Sequence, residues 1–427
     1  MRMDNRELKW DNMVAAISAQ PDYLRNGAAR ALHALTLDLP LRVPSRIYLV
    51  GCGDSYYAGL ATRFAFEKWT GIPTEALESL EFSRYAIDTA ASDALVVAVS
   101  NSGRVVRTVE CAEVARDRGI ATVGVTYNPE SRLAETASML LRWTYADVGF
   151  GPGTLSYLAS LVSLYALAVR LGQLTGRLDE ARATTTLEAI SAIGNDIAVT
   201  VAANQLPVEQ VASTLPDGGL VAVVGGGPNY ATALFGMAKF IEAAAYPAAS
   251  QELEEWAHEQ YFCTRPGTAT LVVAPPGASL DRAREQLQAV RDVGGSAVAI
   301  CDPADTETTS LADEVLPIQL PSDELLSPLV AAVPLELVAL RFAQRLGRTM
   351  LGFDDDRRRA INFRQIFGSP DPLLAAGAAL DAASERTPQE AGHPRGGERH
   401  EGHDQALSTE GSPLGRIEVP TLGAPHA

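Results

Sequence analysis

The chain contains the same pattern twice, and that constrains its fold more than anything else in it. Ile47-Tyr-Leu-Val-Gly51-Cys-Gly53-Asp-Ser55-Tyr56 returns as Val221-Ala-Val-Val-Gly225-Gly-Gly227-Pro-Asn229-Tyr230, 174 residues later. The same offset carries Pro73 onto Pro247, Glu78 onto Glu252, Glu81 onto Glu255 and Asn128-Pro129 onto Asp302-Pro303. A period this long describes a duplicated domain, since solenoid repeats are several-fold shorter. The copies diverge where chemistry would sit. Only the first has the hydroxyl-rich loop Ser100-Asn101-Ser102-Gly103, where the second reads Pro275-Pro276-Gly277. Only the second has Lys239-x-x-Glu242, followed by His258. One copy reads as built to hold an anion and the other to move protons.

Each copy alternates short apolar runs with amphipathic stretches, the pattern of a parallel sheet covered by helices on both faces. In the first copy, strands are expected at 46–51, 74–78, 94–99 and 120–127, with helices from Gly53 to about Thr70 and over 105–118. The second repeats this order at 220–224, 270–274 and 297–301, with helices at 229–243 and 279–293. The predicted divisions are N-terminal helices over 1–44, a first domain over 45–182, a helical connection over 183–213, and a second domain over 214–368. After about Pro370 hydrophobic periodicity stops and Gly, Pro, Glu, Arg and His take over. Residues 369–427 are therefore expected to be a disordered tail, because too little apolar surface is available to offset the entropy of ordering.

Charge narrows the partners. With 35 basic and 52 acidic residues the net charge is −17, which argues against a nucleic-acid polyanion. An anionic small molecule would need local donors rather than a general field. Cys52, Cys111, Cys263 and Cys301 lie in separate segments without metal-ligand spacing, and read as reduced, packed thiols. The histidines are too irregularly spaced to suggest a metal, and no cofactor motif stands out. The start shows no signal-peptide pattern and no apolar run reaches the roughly 18 residues of a membrane span, so a cytoplasmic protein with no membrane partner is expected.

Strand ends that run through Gly-rich turns into helices present free N–H groups to anions. Ser100, Asn101, Ser102 and Gly103 stand at such a turn, Ser55 at the neighbouring one, and Arg104 adds charge. The alternative is a capping turn in which Ser102 only satisfies helix N–H groups. Dinucleotide binding is disfavoured: Gly51-x-Gly53 lacks its third glycine, and Tyr56 stands there. Lys239 and Glu242, three apart on one helix, lie in almost wholly apolar surroundings. The chain holds only three lysines (Lys9, Lys68, Lys239), so an amine at this place is a specific choice over a guanidinium.

Together these residues give the chain a resemblance over about 45–365 to tandem sugar isomerase (SIS) domain proteins, closest to the isomerase half of the glutamine:fructose-6-phosphate amidotransferases. Gly51-Cys-Gly53-Asp-Ser55-Tyr56 is similar to that family's first Gly-rich turn, Ser100-Asn-Ser-Gly103 to its phosphate loop, and Ala233–His258 to its catalytic segment. The resemblance implies two doubly wound, flavodoxin-like α/β domains. It implies that Ser55, Ser100, Asn101, Ser102, Gly103 and Arg104 hold a phosphate, with Gly53, Thr154, Glu255 and Arg364 as further substrate contacts. It also implies that Glu242 moves a proton between C1 and C2, that Lys239 stabilises developing negative charge, and that His258 opens the sugar ring. In the family that histidine comes from a partner subunit, which implies a homodimer.

The departures bear on the substrate. Val105 replaces a threonine, Gly151-Pro-Gly-Thr154 stands for a Ser-Thr-Lys stretch, and Glu259-Gln260 follows His258 in place of Gly-Pro. No lysine lies near Arg359–Arg364. The chain starts with helices and no cysteine nucleophile, so glutamine-dependent amination is not expected. The implied activity is aldose–ketose isomerisation or deamination of a sugar phosphate, most naturally an amino-sugar 6-phosphate. The other class to weigh is a non-catalytic phosphosugar sensor, or a subunit of a larger amino-sugar-forming system.

Overall fold

The computed structural model describes residues 9–28, 41–146, 148–321 and 323–368. The expected tail at 369–427 and residues 1–8 and 29–40 of the expected N-terminal helices lie outside the described residues.

Two five-stranded sheets form the frame, and all their strand pairs are parallel. The first uses β1 (Ile47–Gly51), β2 (Thr74–Glu78), β3 (Leu95–Val99), β4 (Ala121–Thr126) and β5 (Met139–Arg142). The second uses β6 (Val221–Gly225), β7 (Ala248–Glu252), β8 (Ala269–Val273), β9 (Ser296–Cys301) and β10 (Glu314–Pro317). The first sheet is ordered β2-β1-β3-β4-β5, and the second repeats it as β7-β6-β8-β9-β10. In a doubly wound sheet of this order, ligands bind beyond the carboxyl ends of the strands where the winding reverses, here between β1 and β3.

Strand alternation sorts side chains between cores. Ile47 and Leu49 of β1 enter a core shared by both domains, whereas Tyr48 and Val50 face a smaller outer core with Phe82 and Val109. β6 does the same, with Val221 and Val223 inward and Val224 in an outer cluster around Trp256. Fully buried strands of this kind explain the continuous apolar runs in the sequence.

Around these sheets pack helices α1 (Trp10–Ser18), α2 (Asp54–Thr70), α3 (Ser79–Arg84), α4 (Val106–Asp117), α5 (Arg132–Thr136) and α6 (Leu155–Leu174), then α7 (Glu180–Ala203), α8 (Pro207–Thr214), α9 (Pro228–Ala244) and α10 (Leu253–His258). They are followed by α11 (Leu280–Asp292), α12 (Thr306–Ser310), α13 (Pro328–Leu346) and α14 (Asp356–Phe367). Both α2 and α9 leave their strands through a glycine of the same unusual conformation, Gly53 and Gly227, each at φ 54 and ψ −129. An L side chain rarely adopts that backbone, so the duplicated glycines keep two equivalent strand-to-helix corners.

α9 packs on α2 and α13, and α6 on α2, so one helical layer is common to both sheets. Across it, Tyr165 of α6 donates to the Leu325 carbonyl, and Gln20 Nε2 donates to Glu336 Oε2 at 2.7 Å. The expectation that no apolar stretch could span a membrane is corrected. Leu155–Leu174, Glu180–Ala203 and Glu324–Leu346 are long and apolar enough by length and composition. Their apolarity has another use in this fold, most plainly in the first and last, whose apolar windows are 89% and 100% buried inside the protein. The thiols also divide: Cys111 and Cys301 are buried, but Cys52 and Cys263 are exposed rather than packed.

Candidate functional site

A crevice opens at the carboxyl ends of β3 and β4, beside rather than at the expected point between β1 and β3, and residues of both domains form it. A cavity of about 650 Å³ is lined by Asn101, Ser102 and Arg104 from the loop after β3, by Thr154 ahead of α6, and by Glu242 of α9. Asn12 of α1 and Arg359 and Asn362 of α14 close its sides.

The loop after β3 is held by hydrogen bonds with side chains within and around it. Ser100 is buried, and its Oγ accepts the Gly103 N–H at 3.2 Å. Asn101 O accepts from Thr126 Oγ1 at 3.0 Å and Asn101 Oδ1 from Tyr145 Oη at 3.0 Å. Gly103 has φ +65, and a Cβ there would fall 2.0 Å from Ser131 Oγ. Only glycine fits this bend. The Ser102 hydroxyl accepts the Arg104 N–H at 3.2 Å and does not cap α4. α4 begins after Val105, with no side-chain cap hydrogen bond. Its first-turn N–H groups are therefore without a capping side chain, beside two polar loop residues and the Arg104 guanidinium, which lies 4.9 Å from the Phe367 ring centroid. That arrangement suits an anion.

The second domain treats the equivalent crevice differently. There the Ala278 N–H donates to Glu324 Oε2 at 3.1 Å, so the chain's own carboxylate sits against the loop.

Lys239 is completely buried. Its Nζ donates to Asp54 Oδ2 at 2.9 Å, to the Gly153 carbonyl at 3.0 Å and to Glu242 Oε2 at 2.5 Å. An ammonium has three donors, and here all are used. It also lies 4.6 Å from the centroid of the Phe235 ring, which stacks on Tyr157 at 3.9 Å. Gly153 allows this approach, since a Cβ there would meet Asp54 Oδ2 at 2.5 Å. Burial pulls the Lys239 ammonium toward its neutral form, but Asp54 and Glu242 outweigh it and hold its pKa above the ordinary lysine value. Asp54 moves the other way. Burial raises its carboxyl to about 7, Lys239 opposes the shift, and Glu242 adds to it.

Asp54 Oδ1 is buried without a hydrogen-bond partner, as are Thr154 Oγ1 and Tyr157 Oη. Glu336 of α13 is 1% exposed; burial raises its carboxyl to about 8, against the Gln20 hydrogen bond and Lys239. Asp54 and Glu336 are thus two carboxyls near Lys239 that burial holds above the ordinary carboxylate range.

The remaining expected residues fall in several places. Lys239 lies behind the cavity wall, Ser100 and Gly103 support the loop, and only Asn101, Ser102, Arg104, Thr154 and Glu242 line the space itself. Gly53 is exposed and Ser55 half-buried at the start of α2, outside the lining. His258 ends α10 with its side chain 66% exposed and Nε2 3.5 Å from Glu254 Oε1, away from the cavity of its own chain. Glu255, on the same helix, is exposed with its N–H capped by Glu252 at 3.4 Å. Arg364 is exposed on α14, and Arg359 and Asn362 line the cavity in its place. Sequence reasoning gave no role to Asp54, the first residue of the helix that leaves the first Gly-rich turn. A carboxylate at that corner was the available signal.

Comparison with known proteins agrees with this architecture. The SIS domain model matches residues 41–170 and 219–344, more than half of the chain. The glutamine–fructose-6-phosphate aminotransferase [isomerizing] of Gloeobacter violaceus is 30% identical over 351 residues, covering 78% of this chain and 56% of that protein. Its Streptomyces coelicolor counterpart is 29% identical over 316 residues, covering 72% and 50%. The chain thus spans about half the length of these curated relatives. The fold matches the C-terminal domain of the Francisella tularensis glucosamine-fructose-6-phosphate aminotransferase with a TM-score of 0.71 at 21% identity, over 81% of this chain and 98% of that one. It also matches tagatose-6-phosphate ketose/aldose isomerase from Escherichia coli with a TM-score of 0.64 at 16% identity, over 80% and 94%. With both of its halves matched and their two sheets wound alike, the chain belongs to the SIS domain family.

Proposed function

We propose that the chain binds a sugar phosphate, most naturally an amino-sugar 6-phosphate, and moves a proton between C1 and C2. The carrying observation is that Glu242, anchored by a buried ammonium, lines the same cavity as Asn101, Ser102 and Arg104. The phosphate would rest on the Asn101–Arg104 loop and the open N-terminus of α4, with Ser55 a more distant contributor. The carboxylate of Glu242 would take the C–H proton next to the carbonyl carbon and return it to the adjacent carbon. Lys239 would orient Glu242 and, by releasing one of its three acceptors, stabilise charge developing on the sugar oxygen. With a 2-amino aldose the same transfer gives an enolamine and then an imine. Water hydrolyses the imine to the ketose phosphate and ammonia. His258 would serve ring opening from a second copy of the chain, in a cytoplasmic homodimer.

Proton NMR in D2O tests this with fructose 6-phosphate with and without ammonium, and with glucose, mannose, glucosamine and galactosamine 6-phosphates. Deuterium entering C1 or C2 supports the proposal. Binding without exchange points instead to a sensor or a subunit awaiting a partner.

A further inference from the structure

The cavity is both larger and more apolar than a sugar phosphate requires. At about 650 Å³ it lies within the range that takes a drug-sized ligand, roughly 300–1,000 Å³. Its hydrogen-bonding side chains lie about the loop after β3, around Thr154 and Glu242, and at Asn12, Arg359 and Asn362 on its sides, with the Arg359 guanidinium 5.8 and 5.7 Å from the Phe353 and Phe363 ring centroids. Beyond them the wall is made by Tyr127, Tyr145, Phe150, Phe353, Phe363 and Phe367. These rings form contiguous sets. Tyr127 and Tyr145 have centroids 5.0 Å apart, Phe363 and Phe367 5.3 Å, and Phe353 and Phe363 6.4 Å.

Two aliphatic side chains extend the wall and are left in the open, Ile241 at 44% exposure and Ile366 at 38%. Ile241 and Glu242 both line the cavity, so apolar surface and the proposed base belong to the same space. Hydroxyl groups of a sugar gain nothing against the ring faces of this wall, since a polar group taken from water without a partner costs free energy. An apolar group gains about 25 cal/mol per Å² that it and the wall remove from water. Among the described residues, the charged side chains lining the cavity are Arg104, Arg359 and Glu242.

We infer that this site takes a sugar phosphate bearing an apolar acyl, alkyl or aryl substituent on the heteroatom at C1 or C2, with the substituent seated against the aromatic wall formed by Tyr127, Tyr145 and α14. The inference rests on the proposed sugar-phosphate chemistry and deepens it. The phosphate end is read by the loop after β3, the reacting carbons face Glu242, and the substituent occupies the remaining volume.

Calorimetric titration of the full chain with glucosamine 6-phosphate and its N-acetyl, N-butanoyl and N-hexanoyl derivatives tests it, with exchange in D2O followed in parallel. The expected result is an affinity that rises about three- to fourfold per added methylene. The ratio of hexanoyl to unsubstituted affinity should fall toward one in Ile366→Ala and Phe363→Ala. If the unsubstituted phosphate binds but the acyl series is flat or excluded, the inference is overturned while the proposed function stands. If no member of the series binds, the sugar-phosphate reading fails and the inference falls with it.

Discussion

Lys239 Nζ of the second domain lies 2.9 Å from Asp54 Oδ2 of the first, across 185 residues of sequence. With Glu242 also within 2.5 Å, two carboxylates share one buried ammonium. Removing the cation would leave two acids facing each other in a low-dielectric layer. Lys239→Ala should cost about 3–5 kcal/mol in urea unfolding, the range for breaking a buried ion pair by removing one partner. Asp54→Asn introduced into that background should recover part of the loss. Additive effects of the two substitutions would mean that the pair is not coupled.

Glu242→Gln keeps the shape of the base and removes its ability to accept a proton. Proton exchange at C1 and C2 should fall by about 10²–10⁴. Phosphosugar affinity, read by calorimetry, should stay within a few-fold of the parent. Substantial residual exchange in this variant would remove Glu242 from the mechanism.

Loss of the Ser102 hydroxyl in Ser102→Ala should weaken binding of inorganic phosphate and of sugar phosphates alike by about tenfold, one hydrogen bond to a charged group. Gly103→Ala should do far more. It forces an L side chain into a positive-φ bend and into Ser131, and the loop must move. Titration of the two variants against phosphate separates a lost contact from a lost loop.

Glu336 gives the protein a pH-dependent stability of definite sign. Its carboxyl is raised from an ordinary value of 4.5 to about 8, chiefly by burial. Between those values the folded chain holds a proton that the unfolded chain has released, so stability falls as pH rises, by up to about 1.4 kcal/mol per pH unit. Asp54, raised to about 7, pulls the same way over the lower part of that window. Glu336→Gln, which keeps a hydrogen-bonding group for Gln20, should flatten the slope. Urea melts at pH 5.5 and 8 should show the variant gaining on the parent at the higher pH.

His258 stands apart from its own chain's cavity, so its proposed role requires a second copy. Glu242→Gln and His258→Ala proteins, each inactive alone, should regain exchange activity when unfolded together and refolded. A mixed dimer would contain one site with both groups intact. No recovery would confine His258 to the surface.

The interior strands were legible because each is a buried apolar run: β1, β3, β6, β8 and β9 fall within a residue or two of their predicted places. The edge strands β5 and β10 were not, since Met139–Arg142 and Glu314–Pro317 are short and half-buried, and such segments lack the pattern that marks an interior strand. Helix α14 was missed for a similar reason; its sequence is mostly polar and buries only Phe363. Within the site, the loop at Ser100–Gly103 and the Lys239–Glu242 pair were readable because each is local. The contact of Lys239 with Asp54 and Gly153 is made by the docking of two domains, which no local pattern records.

That contact gives the duplication a further meaning. The ammonium belongs to one half and two of its three acceptors to the other, so neither half holds the arrangement by itself. A small rotation between the halves would break this ionic seam while leaving each sheet and its outer core unchanged. The placement of Glu242 is therefore set by how the two halves are seated, and a substitution at their boundary can reach it without touching a residue of the cavity.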